Sequence, residues 1–64
     1  MSQSDDLKAE IKKWSNAALK AKMDLHDLAV DLPTGWERIL EVAQTAHNAY
    51  RTLEAKRESL KVIA

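Results

Sequence analysis

The two histidines are the residues best placed, by type, to bind something small. His26 sits in the run Asp24-Leu25-His26-Asp27, and His47 lies well along the second half of the chain. Two imidazoles and a carboxylate would hold a divalent metal if they converged. A fold-back at the chain's midpoint, Pro33-Thr34-Gly35, sets residues whose numbers sum to about 71 opposite one another, as in an antiparallel pair of helices. That register brings His47 near Asp24 and His26 near Thr45. Metal sites in helical bundles, however, draw on several inward-facing carboxylates together with Glu-x-x-His pairs, a pattern this sequence lacks. A boundary histidine bonded to a neighbouring carboxylate or to water is the preferred reading of each. No metal and no other cofactor is assigned.

Catalysis finds no support. No nucleophile, base and orienting acid stand at a recognisable spacing, and no glycine-rich phosphate loop exists in a chain with one glycine. The expectation is a protein that is not an enzyme. Lys8, Lys12, Lys13, Lys20 and Lys22 make the best case for nucleic acid, since lysines along a helix can track phosphates. Asp5, Asp6 and Glu10 lie among them and no stacking aromatics accompany them. A solvated helix surface is the better reading, and nucleic acid is not expected as a partner.

The chain has 64 residues, ten basic and ten acidic, for a formal net charge of +0. That balance gives no global attraction to nucleic acid or to an anionic membrane. The distribution is uneven: between Asp24 and Glu41, five acids (Asp24, Asp27, Asp31, Glu37 and Glu41) stand against Arg38 alone. The middle of the chain is acidic and the flanks are basic. The N-terminal run Met1-Ser2-Gln3-Ser4-Asp5-Asp6 is polar, and no apolar stretch approaches the roughly 18 residues of a membrane span. A cytoplasmic protein without signal peptide or membrane anchor is expected.

So small a chain buries only about 60% of the surface its unfolded form exposes. Without cysteine, disulfides and thiolate zinc sites are closed to it, which leaves oligomerisation as the route to a sufficient core.

The elements follow from periodicity. The one proline and the one glycine fall together in Leu32-Pro33-Thr34-Gly35-Trp36-Glu37, and proline disfavours helix in the residue before it. A first helix is expected over about 5–31, a turn over 32–35 and a second helix over about 35–62. Thr34 and Glu37 have the form of a capping box opening the second helix. On the first arm Leu7, Ile11, Trp14, Ala18, Ala21, Leu25, Leu28 and Leu32 recur at alternating spacings of four and three. On the second, Ile39, Val42, Ala46, Ala49, Leu53, Lys56, Leu60 and Ile63 keep the same rhythm. This is the heptad seam of helices packed along their length. In the fold-back register Leu25 faces Ala46 and Ala18 faces Leu53, large against small. Ala21 against Ala49, near Tyr50, leaves a gap that Tyr50 or a side chain of another chain would fill.

A second apolar stripe lies beside the seam. Leu19, Met23 and Val30 flank His26, while Trp36, Ala43 and Tyr50 recur every seven residues. Stripes at helical spacing are packing surfaces far more often than ligand grooves. The fold expected is therefore all-α: a two-helix antiparallel hairpin that assembles as a homo-oligomer, a four-helix bundle or larger. Its oligomer core comprises Leu7, Ile11, Trp14, Ala18, Ala21, Leu25, Leu28, Ile39, Val42, Ala46, Ala49, Leu53 and Leu60. Two hairpins with turns at opposite ends would set the acidic turn of each beside the basic ends of the other. Trp36 and Tyr50 are large amphipathic rings of the kind enriched at protein contacts; the alternative is that Trp36 covers the bend. For Trp14, packing against the stems of Lys56 or Arg57 is expected.

The run Lys22-Met23-Asp24-Leu25-His26-Asp27-Leu28, with Leu32-Pro33-Thr34, Trp36-Glu37, Val42-Ala43 and Ala49-Tyr50, resembles the Rop-like family of small helical proteins encoded in nitrogen-fixation gene clusters. The likeness spans about Leu7 to Leu60. It implies an oligomerising helical hairpin in a nitrogen-fixing organism. It does not imply RNA binding, because no set of basic and polar contact residues like that of the plasmid regulator Rop maps onto this chain. Gly35 stands where the family leads one to expect an acid, and Ala46-His47 where it leads one to expect a threonine and an aromatic, so no ligand role passes to His47. The resemblance and the stripes together point to an accessory or adaptor protein. It would self-associate and present His26, Asp27, Trp36 and Tyr50 to a partner, nitrogenase assembly or electron-transfer proteins being the candidates. The alternatives are an RNA-binding regulator like Rop and a metal-binding helical bundle.

Overall fold

The computed structural model describes residues 3–63. Two long helices, α1 (Gln3–Asp31) and α2 (Ile39–Ile63), pack side by side along a rod of 47 × 14 × 12 Å. Between them the chain makes a tight turn followed by one 3-10 turn over Trp36–Arg38. The architecture is a two-helix hairpin, all-α throughout the described residues.

The turn is built by backbone. The Leu32–Pro33 peptide is cis. The Thr34 N–H donates to the Asp31 carbonyl at 3.0 Å, the Trp36 N–H to Pro33 at 3.3 Å and the Arg38 N–H to Gly35 at 2.9 Å. Gly35 takes the left-handed conformation, with φ 81°, where a side chain would be strained. It is also where the bend closes over α1, because a Cβ on Gly35 would come within 3.1 Å of Leu28 Cδ1.

Here the structure corrects the sequence reading. The residue that caps the second helical segment is Gly35, without a side-chain capping bond, so the Thr34/Glu37 capping box does not form. The first turn after Gly35 is tightened into 3-10 geometry, which satisfies the Arg38 N–H from the Gly35 carbonyl and leaves the threonine hydroxyl no role.

The core is narrow and made of small residues. Ala18, Ala21, Ala46, Ala49 and Leu53 form one buried cluster, with Ile11 and Trp14 packed against it. Four alanines at a helix contact let the backbones come close, and Ala18 is only 1% exposed. Ala21 and Ala49 are both buried, while Tyr50 is 44% exposed. Leu28 and Val42 are buried nearer the turn. Leu7, Trp14, Lys56 and Leu60 are half-buried toward the open end.

Candidate interaction surface

Because α1 and α2 run antiparallel, the two sides of the seam form two faces of the rod. One face is polar. Asp24 and Arg38 contribute to two adjoining surface recesses, of about 160 and 320 Å³. Glu41 and Thr45 line the first, and Asp27, Asp31 and Thr34 line the second. These residues flank the seam on corresponding sides of the two helices, as like flanking positions do in an antiparallel pair.

The opposite face carries exposed apolar groups among polar ones. Trp36, Ala43 and Tyr50 flank the α2 seam on this side, and Leu19 and His26 lie on the matching side of α1. Leu25 and Ile39 belong to the seam itself, yet they are 37% and 38% exposed. A single pair of helices has no third wall to close over them. Leu32, Trp36 and Tyr50 are exposed as well, as are Leu19, Met23 and Val30. Monomeric surfaces of so small a body seldom expose so many large apolar groups, although Met23 and Val30 lie on the back of α1, away from the seam.

The candidate residues fall into three groups. Ala18, Ala21, Leu28, Val42, Ala46, Ala49 and Leu53 are closed inside the hairpin, Leu7, Ile11, Trp14 and Leu60 are half-closed, and Leu25 and Ile39 are open. The proposed partner-facing residues His26, Asp27, Trp36 and Tyr50 are all exposed. Only His26 and Asp27 touch, with Nδ1 and Oδ1 3.5 Å apart. The expected approaches of His47 to Asp24 and of His26 to Thr45 do not bring together a ligand set: no group of three His, Asp or Glu side chains among the described residues could hold a metal ion. The cation over the Trp14 ring is its neighbour Lys13, 5.9 Å from the centroid. Leu40 was not singled out by periodicity, since it falls outside the four-and-three rhythm, but it is 83% exposed. None of the described helices is long and apolar enough to cross a membrane.

Residues 2–64 match the Rop-like family. The chain belongs to that family. Rop-like relatives include a UPF0437 protein of Azorhizobium caulinodans, 57% identical over 61 residues that cover 95% of this chain and 88% of that protein. A UPF0437 protein of Frankia alni, described as lying in the nifX-nifW intergenic region, is 50% identical over 40 residues, 62% of this chain and 49% of that one. The same hairpin is found in the NMR structure of the structural-genomics target McR1, with a TM-score of 0.88, 51% identity and coverage of 95% of this chain and 86% of that one. The Rop-like assignment and the association of a family member with nitrogen-fixation genes agree with the resemblance carried by the Leu-His-Asp-Leu and Leu-Pro-Thr-x-Trp-Glu segments.

Proposed function

We propose that this Rop-like chain is a non-enzymatic accessory or adaptor protein of the nitrogen-fixation system that acts by protein–protein association, in the cytoplasm and without a cofactor. One observation carries the reading: the seam residues Leu25 and Ile39, with Trp36 and Tyr50, stand exposed on one face of a hairpin whose other face is polar. The nitrogen-fixation setting rests on the Frankia alni relative's place between nifX and nifW.

The first occupant of the apolar face, on this reading, is a second copy of the chain, giving a four-helix bundle. In such bundles the inward stripe is the heptad seam plus one flanking position, which here adds Ala43 and Tyr50 of α2, while Trp36, in the 3-10 turn, stands at the end of the bundle. The charge pattern orients the pair with turns at opposite ends, so that the acidic turn of each lies beside the basic ends of the other. Individual surface ion pairs are worth only about 0–1 kcal/mol, so they select orientation while apolar burial supplies the affinity.

A nitroxide label on Thr34→Cys tests the orientation, because the chain has no other cysteine. Turns at opposite ends place the labels about one rod length, 47 Å, apart; labels close enough for strong dipolar broadening would reverse the assignment. Affinity capture from nitrogen-fixing cells tests the adaptor role. Recovery of nitrogenase assembly or electron-transfer proteins supports it, and capture of none of them speaks against it.

A further inference from the structure

The 3-10 turn and the first turn of α2 carry adjacent apolar and acidic groups that a two-fold bundle leaves uncovered. Trp36 and Glu37 of the 3-10 turn are followed four residues later by Leu40 and Glu41 in the first turn of α2, so exposed apolar and acidic side chains adjoin at this end of the rod. Trp36 is 61% exposed and Leu40 83%.

Self-association does not account for this patch. Ile39, Val42, Ala46 and Ala49 define the α2 seam, and Trp36, Ala43 and Tyr50 the stripe one step round from it. Leu40 lies a further step round, outside the three positions per heptad that a bundle buries. Trp36 stands at the bend, level with the ends of a second hairpin packed with full overlap, where neighbouring helices run out. The patch thus remains open at each end of the proposed bundle.

The electrostatics of the patch are unbalanced. Glu37 and Glu41, four residues apart across the join of the 3-10 turn and α2, are like charges that repel one another, and neither has an ion pair among the described residues. Asp24, Asp27 and Asp31 lie close by on the same end of the rod, with Arg38 as the local cation. A partner that brings apolar side chains to Trp36 and Leu40 and positive charge to Glu37 and Glu41 would bury the first and offset the second. A charged rim around an aromatic anchor is the usual anatomy of a protein contact.

We infer that the Trp36/Leu40 strip, bordered by Glu37 and Glu41, docks a basic amphipathic segment of another protein, with lysine or arginine along one side and aliphatic residues along the other. The inference rests on the adaptor reading and names the chemistry of the partner's docking segment.

The test uses the full chain and a synthetic helical peptide of leucine and lysine at amphipathic spacing. The protein's two tryptophans give separate indole N–H resonances, which Trp36→Phe assigns. Saturable binding should shift the Trp36 resonance and leave that of Trp14 in place. Glu37→Lys with Glu41→Lys should weaken binding at least tenfold, as should Leu40→Asn. A peptide of the same composition in scrambled order should bind at least tenfold more weakly than the amphipathic one.

Equal binding of the scrambled peptide, or no response at Trp36, overturns the inference. Sedimentation of the free proteins separates this failure from failure of the adaptor reading. A wild-type chain that assembles but ignores the peptide loses the docking strip alone; a monomer that binds the peptide at Trp36 keeps the strip and loses only the second copy, and a monomer that ignores it loses both. If Leu40→Asn itself breaks the assembly, the strip belongs to the second copy and the inference is wrong.

Discussion

Replacing Gly35 by alanine should lower the stability of the hairpin by about 1 kcal/mol. Gly35 sits at φ 81°, and an L-residue in left-handed geometry costs roughly 1–2 kcal/mol. The new Cβ would lie 3.1 Å from Leu28 Cδ1, so the leucine must also shift by a few tenths of an ångström. Against these, alanine restricts the unfolded chain and returns about 0.4–1 kcal/mol. For a domain of this size each kcal/mol is worth about 4–8 °C in melting temperature. Thermal melts followed by circular dichroism at one fixed protein concentration should therefore show Gly35→Ala melting about 4–8 °C below the parent. Gly35→Asn places the same Cβ near Leu28 but tolerates left-handed geometry better, so it should lose less. An alanine variant that melts with the parent would refute the backbone argument. An asparagine variant as damaged as alanine would shift the cause to the Leu28 contact.

Other substitutions follow from the same structure. Leu53, 5% exposed and the one large residue in the alanine cluster, should cost about 2–5 kcal/mol when cut to alanine, enough to abolish a cooperative melt in so small a protein. Thr34→Ala should change stability by less than about 0.5 kcal/mol, because no side-chain bond caps the second helical segment; a loss near 1 kcal/mol in a denaturant titration would restore the capping box.

The hairpin was legible because its signals are local and reinforce one another. The four-and-three rhythm names the seam on each arm, and the only proline and glycine mark where the arms part. Spacing alone, however, is blind to which seam positions a partner helix reaches. Ala46 is buried, but Leu25, its expected counterpart, stays partly open, because in a two-helix rod a seam residue that leans toward the free face has no third helix over it. The turn was misread for a different reason: Thr34 and Glu37 have the right types at the right spacing for a capping box, but a left-handed Gly35 between them ends the turn one residue later and satisfies the chain with backbone bonds. The glycine itself was the available signal. Leu40 escaped notice because it breaks the seam rhythm, and exposure becomes visible only when both helices are in place.

On the proposed reading, a second copy of the chain covers the open apolar face. Sedimentation equilibrium of the purified protein across a dilution series tests it most directly, with Leu25→Ser alongside as the variant that makes a seam residue of that face polar. The expected mass is twice the 7.2 kDa chain or more, held to low micromolar concentration, with a dissociation constant at least tenfold weaker for the serine variant. A parent chain that sediments as a folded 7.2 kDa monomer at every concentration would contradict it, and the exposed face of Leu25, Ile39, Trp36 and Tyr50 would then be the docking surface for a different protein.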